Sequence, residues 1–90
     1  MAIAIAFMEV DDVDRWLKST RRGELLGSLG ITGKVFADPA QPNRVGVYAD
    51  VPDMDAFQKF MQSETAAEAM RADGVHLESF VMLFEAADHL

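Results

Sequence analysis

The stretch from Met1 to Val10, MAIAIAFMEV, alternates as a β-strand does, yet neither of its faces is polar. Ile3, Ile5 and Phe7 fall on one side and Ala2, Ala4, Ala6 and Met8 on the other, whereas a half-buried strand keeps one face wet. Near the other end, VHLESFVMLFE is again apolar on both faces from Phe80 to Phe84. A sheet built on two such strands needs cover on both sides, and a chain of 90 residues has little with which to supply it. A lone domain of this size buries only about 60 to 65% of the surface its unfolded chain exposes. Self-association is the common remedy.

Nucleic acid is excluded as the covering partner. Half of the residues are hydrophobic and the formal charge is -7, a balance that describes a folded acidic protein, while neutralising phosphates takes a basic surface. A membrane is excluded as well, because the opening run lacks a positive leading region, is short for a signal core and is followed by Glu9, Asp11, Asp12 and Asp14. With neither signal nor span, the expected location is cytoplasmic. Cysteine is absent, so no disulfide staples the fold, and a zinc site would have to draw on His76, His89 and carboxylates alone. No metal is expected. No organic cofactor is expected either, since the sequence has no P-loop, no glycine-rich dinucleotide fingerprint and no Gly-x-Ser-x-Gly elbow.

Residues 1–90 read as a single domain without repeat or linker. The segment DDVDRWLKSTRRGELLGSLG offers Asp11 or Asp12 as a helix N-cap, with Val13, Trp16, Leu17, Leu25 and Leu26 at helical spacing. Gly23 costs about 1 kcal/mol relative to Ala inside a helix, so a bend is expected after Arg21 and Arg22, with a stop near Gly27 to Gly30. ITGKVFA, the turn DPAQPN and RVGVYADV form a β-hairpin. Strand parity groups Ile31, Gly33, Val35 and Ala37 with Val45, Val47, Ala49 and Val51, and sets Thr32, Lys34, Phe36, Arg44, Tyr48 and Asp50 opposite. Pro52 stops the strand; Asp53 caps a helix with the stripe Ala56, Phe57, Phe60 and Met61. Ser63 caps the short helix ETAAEAMRAD, and Gly74 ends it before the final strand.

Strand, helix, strand, strand, helix, strand is an α+β order that right-handed crossovers turn into a ferredoxin-like βαββαβ antiparallel sheet, with the first and third strands central and both helices on one face. The other face, carrying Phe36, Tyr48 and one parity of the first and last strands, is too apolar to stand bare. The simplest cover is the same surface of a second copy about a two-fold axis, which predicts a homodimer joined through its sheet faces. The RNA-recognition motif shares this element order, but RVGVYADV offers one Arg and one Tyr on an acidic chain where that motif is basic and aromatic.

VPDMDAFQKFMQSETAAEAMRADGV followed by HLESFVMLFE places a helix, a Ser-capped short helix, a Gly and a final strand in succession. In this, and over nearly its whole length, the chain resembles the dimeric α/β-barrel superfamily, which includes antibiotic-biosynthesis-type monooxygenases and related uncharacterised small proteins. The resemblance implies a barrel formed from the two sheets of a dimer, with space for a ligand between sheet and helices.

Trp16, on the inner stripe of the first helix, is either a core residue or the wall of a pocket that stacks on a planar ligand. Phe57 and Phe80, among several phenylalanines and methionines, either fill the core or line an adaptable apolar cavity. Tyr48 and Asp50 lie on the mixed face, where they bond a substrate or pair across the dimer. His76 titrates near neutrality and falls close to Glu9 and Arg44 if the first strand runs antiparallel to the third and fourth, which suits either proton transfer or a plain carboxylate-held rim position. Arg21 and Arg22 read as a solvated face or as partners in a salt bridge to the second copy. Together with the resemblance these residues make the leading expectation a homodimer binding a small, partly apolar molecule, with cofactor-independent monooxygenase or isomerase chemistry. Trp16 would then serve as wall, Tyr48 as hydrogen-bond donor and His76 as proton handler. The alternative is a non-catalytic dimerisation or regulatory module whose core is filled by side chains.

Overall fold

The computed structural model describes residues 2–90. The elements are β1 (Ala2–Val10), α1 (Val13–Lys18), α2 (Arg21–Gly27), β2 (Thr32–Ala37), β3 (Arg44–Val51), α3 (Met54–Met61), α4 (Glu64–Ala72) and β4 (Val75–Phe84). The four strands form one sheet in the order β2-β3-β1-β4, every neighbouring pair antiparallel. The two apolar-faced strands therefore lie side by side, with β1 at the centre and β4 at the edge.

The hairpin parity holds, since Gly33, Val35 and Ala37 pair with Ala49, Val47 and Val45, while Lys34 and Phe36 lie beside Tyr48 and Gly46. On β1 the chain's own helices cover the small side: Ala4, Ala6, Met8 and Val10 are buried. Ile3, Ile5 and Phe7 point the other way, level with Asp50, Tyr48 and Gly46 of β3. The helix side of the sheet contributes Ala6, Met8, Val10, Val45 and Val75 to one core cluster around Trp16. A second cluster joins Ala4, Ala49 and Val51 to Ile31 and Phe57.

The β1–β4 ladder carries a register slip. Glu9 pairs with His76 and Phe7 with Val81, so two steps along β1 are matched by five along β4. Ser79 holds the slip, its Oγ accepting from the Glu9 amide at 2.8 Å and donating to the His76 carbonyl at 2.6 Å. Five against two is an odd difference, so the slip reverses which β4 residues face the helices. His76 and Val81 both share a face with β1's odd-numbered residues, and Phe80 and Met82 pack toward the helices.

Three of the helices begin as their sequences dictate. Asp12, Asp53 and Ser63 are extended and accept from the amides of Arg15, Ala56 and Ala66 respectively, each satisfying one of the orphan donors at a helix start. The first helical region departs from the expectation of one helix bending after Arg22. It breaks earlier, at Ser19, which is extended and ends α1, and Thr20 opens α2 without a side-chain cap. Ser19 Oγ donates instead to Asp73 Oδ1 at 2.8 Å, a tertiary bond that outweighs local helix continuation. Gly23 lies inside α2 without disrupting it. Gly74, with φ of +81°, turns the chain from α4 into β4, a conformation that a side chain resists.

Candidate functional site

The centre of the sheet is low. Ala4 and Ala6 on β1 and Ala49 on β3 present methyl groups where larger aliphatic residues would ordinarily meet the helices. Above this floor stand Phe57, Phe60 and Met61 of α3, Ala66, Ala69 and Met70 of α4 and Trp16 of α1, with Phe80 and Met82 of β4 at the side. The result is a cavity of about 100 Å³, apolar over nearly all of its wall and partly open to solvent. Trp16, Phe57 and Phe80 all line this space, and Trp16 and Phe57 are at the same time buried core residues.

Two ionisable side chains reach the wall, Arg22 and Asp73. Asp73 ends α4, and the placing of Arg22 follows from the break at Ser19. α2 leaves in a new direction and lays the Arg22 guanidinium over the indole of Trp16, 4.1 Å from the ring centroid, a cation–π arrangement. Arg22 Nη2 donates to the Trp16 carbonyl at 3.3 Å. Its Nη1 is buried and has no hydrogen-bond partner. Burial lowers the Arg22 pKa from its ordinary value, while the nearby Asp73 charge works in the opposite sense. Asp73, itself buried, accepts from Ser19 Oγ and from Arg21 Nη1, the latter at 2.6 Å. The expectation of a solvated face is thus corrected for Arg22, which roofs the tryptophan; Arg21 stays about half exposed while it neutralises the buried carboxylate. The sequence signal for this was the Ser19-Thr20 pair in mid-helix, which favours a helix boundary.

The other candidates lie elsewhere. Tyr48 and Asp50 sit on the uncovered face of the sheet, between β1 and β2, opposite Ile5 and Ile3 on one side and Lys34 and Thr32 on the other. His76 stands at the end of the sheet beside Glu9, as the sequence suggested, and its Nε2 is 2.5 Å from Asp11 Oδ1. The Asp11 hydrogen bond raises the His76 pKa above its ordinary value, some desolvation opposes it, and the charges of Asp11, Glu78 and Glu9 add to the rise. His76 is not among the residues that line the cavity, so wall and titrating group are separated in this protomer. Among the described residues no cluster of three or more His, Asp or Glu side chains is placed to hold a metal ion, and no helix is long and apolar enough to cross a membrane.

No protein-family model and no curated protein sequence matches the chain. Solved structures do. An antibiotic biosynthesis monooxygenase superposes with a TM-score of 0.64 at 14% identity, over 97% of this chain and 98% of that one. The chain is ferredoxin-like in fold. A dimeric ferredoxin-like protein of unknown function from Bacteroides fragilis NCTC 9343 aligns over 93% of both chains at 14% identity, with a TM-score of 0.60. Another from Jannaschia sp. CCS1 covers 97% of this chain and 100% of its own at 12% identity, also with a TM-score of 0.60. At these identities the likeness is one of fold.

Proposed function

We propose that this protein is a homodimer, sheet facing sheet, whose subunits each hold a small, partly apolar molecule in the cavity between sheet and helices. The cavity itself carries the reading: an alanine floor, aromatic walls from three elements and a single cationic group are what a small apolar ligand with one polar handle requires. The dimer is supported by the uncovered face, where Phe7, Phe36, Tyr48, Val81 and Leu83 are each more than a third exposed, and by the solved structures of like fold that are described as dimeric. Charges of both signs, Lys34, Asp50, Glu9 and Arg44, accompany the apolar residues on that face, which suits a surface meeting its own copy.

Monooxygenase chemistry is the reaction class that the likeness to an antibiotic biosynthesis monooxygenase suggests, and we propose it in cofactor-independent form, with isomerase chemistry as its counterpart. In that reading Trp16, Phe57 and Phe80 hold the ligand. Tyr48 and Asp50 act across the sheet-to-sheet interface, and His76 with Asp11 handles protons at the end of the sheet.

A screen of small planar apolar compounds by thermal shift tests the binding, with Trp16 emission as a second readout. Binding raises the melting temperature by mass action, and a panel in which no compound does so removes the proposal. Sedimentation at micromolar concentration tests the dimer. One observation favours a second reading, a non-catalytic dimerisation module: about 100 Å³ is below the roughly 300 to 1,000 Å³ usual for ligand pockets. Ala69→Leu, on the cavity wall, separates the two. A ligand site predicts lost binding in a folded protein; a core already full predicts a loss of about 1–3 kcal/mol from overpacking.

A further inference from the structure

Arg22 Nη1 is a buried donor with nothing to donate to. Folded proteins rarely leave such a group unpaired, because its desolvation is uncompensated. Around it the charges do not cancel. Asp73 is engaged by Arg21 and Ser19, so Arg22, the one cation lining this otherwise apolar space, stands beside a carboxylate that is already paired.

We propose that the cavity takes short-chain or small-ring apolar monocarboxylates, the hydrocarbon lying on the alanine floor against Trp16 and Phe57 and the carboxylate accepting from Arg22 Nη1. The proposal rests on the ligand-binding reading above and adds the ligand's chemical class. Three observations converge on it. With Nη2 donating to the Trp16 carbonyl, the guanidinium keeps Nη1 as an unused donor, the kind of group that bonds a carboxylate. The volume, about 100 Å³, is smaller than the roughly 150 Å³ engineered cavity that admits benzene, which limits the enclosed part to a few carbon atoms. Arg22 also lines a second, more polar space of about 220 Å³ against β2 and β3, so the acid end need not be sealed in hydrocarbon. Nη1 is closed to solvent as it stands; the carboxylate reaches it through a turn of the long Arg22 side chain. That turn alters the stacking on Trp16, the only tryptophan in the chain.

The test compares isovalerate with isovaleramide, its uncharged near-isostere, by calorimetric titration and by Trp16 emission on the full chain. The wild type is expected to bind the acid at least tenfold more tightly than the amide and to change its emission with the acid. Arg22→Gln is expected to lower acid affinity to that of the amide while amide affinity stays the same. Equal affinities in the wild type, or a preference for the acid that survives Arg22→Gln, would overturn the proposal while leaving the cavity a ligand site. A wild type that binds neither compound overturns this proposal and leaves the ligand-binding reading to the thermal-shift panel. If Arg22→Gln fails to fold by circular dichroism, the wild-type comparison still decides. Arg22→Lys, which keeps the charge but not the planar fork, is then expected to retain less than the full preference.

Discussion

Asp11 holds the imidazole of His76 at the end of the sheet, and its own amide donates to the Gly74 carbonyl at 3.0 Å, which ties the Asp11 backbone to the start of β4. Because the folded protein raises the His76 pKa, protonated histidine favours the folded state. That contribution is full below the unfolded value of about 6.5 and disappears as pH rises through the raised value. Proton NMR should place the His76 midpoint above about 6.5, and Asp11→Asn should bring it down; a midpoint unmoved by that substitution would assign the rise to something other than Asp11. His76 beside Glu9 was legible once the first strand was taken as antiparallel to the last. Arg22 was not, because its position depends on a helix break set by a buried aspartate 54 residues beyond Ser19.

At the scale of elements, the parts of the chain whose structure is local were readable and the parts settled by distant contacts were not. Asp53 and Ser63 announce their helices by residue type, and their caps form as that chemistry requires. Ser63→Ala should therefore cost about 1 kcal/mol in urea unfolding, within the usual 0.5–2 kcal/mol for lost caps. The break between α1 and α2 comes with Ser19 bonding Asp73 instead of its own helix; the Ser19-Thr20 pair hints at a boundary, but the distant partner is in no window of neighbouring residues. Ser79 in β4 is a similar case. Its hydroxyl both accepts and donates within the ladder, so Ser79→Ala should destabilise by about 1 kcal/mol and broaden the amide resonances of Glu9 and Phe80 by allowing the register to wander. A substitution without effect on either would mean that the slip is held by packing alone.

For the whole molecule, the element order and the two-sided apolar strands were enough to name the architecture, because few topologies place two such strands together under two helices. Which side of β1 meets the helices was not determined by pattern, since alanines and isoleucines are both apolar; volume decided it, the alanines lying beneath the helices and the isoleucines outside. The bare side is where assembly should be tested. Leu83→Lys on that face, with half of its surface exposed in the protomer, should leave the monomer's circular dichroism unchanged and shift sedimentation toward a single subunit. If the protein already sediments as one subunit, the face is covered by something other than its twin.

The slip at Ser79 has an evolutionary corollary. Had the ladder continued from Glu9 opposite His76 without interruption, Phe80 would lie level with Ile5 and face outward, and Val81 would fall opposite Ala4. Losing or gaining one residue between Leu77 and Ser79 would turn the last third of β4 over like a page, trading the cavity's aromatic wall for a new contact surface in a single genetic event. Length variation at this spot is thus a means by which chains of this shape could exchange a cavity wall for an outer surface.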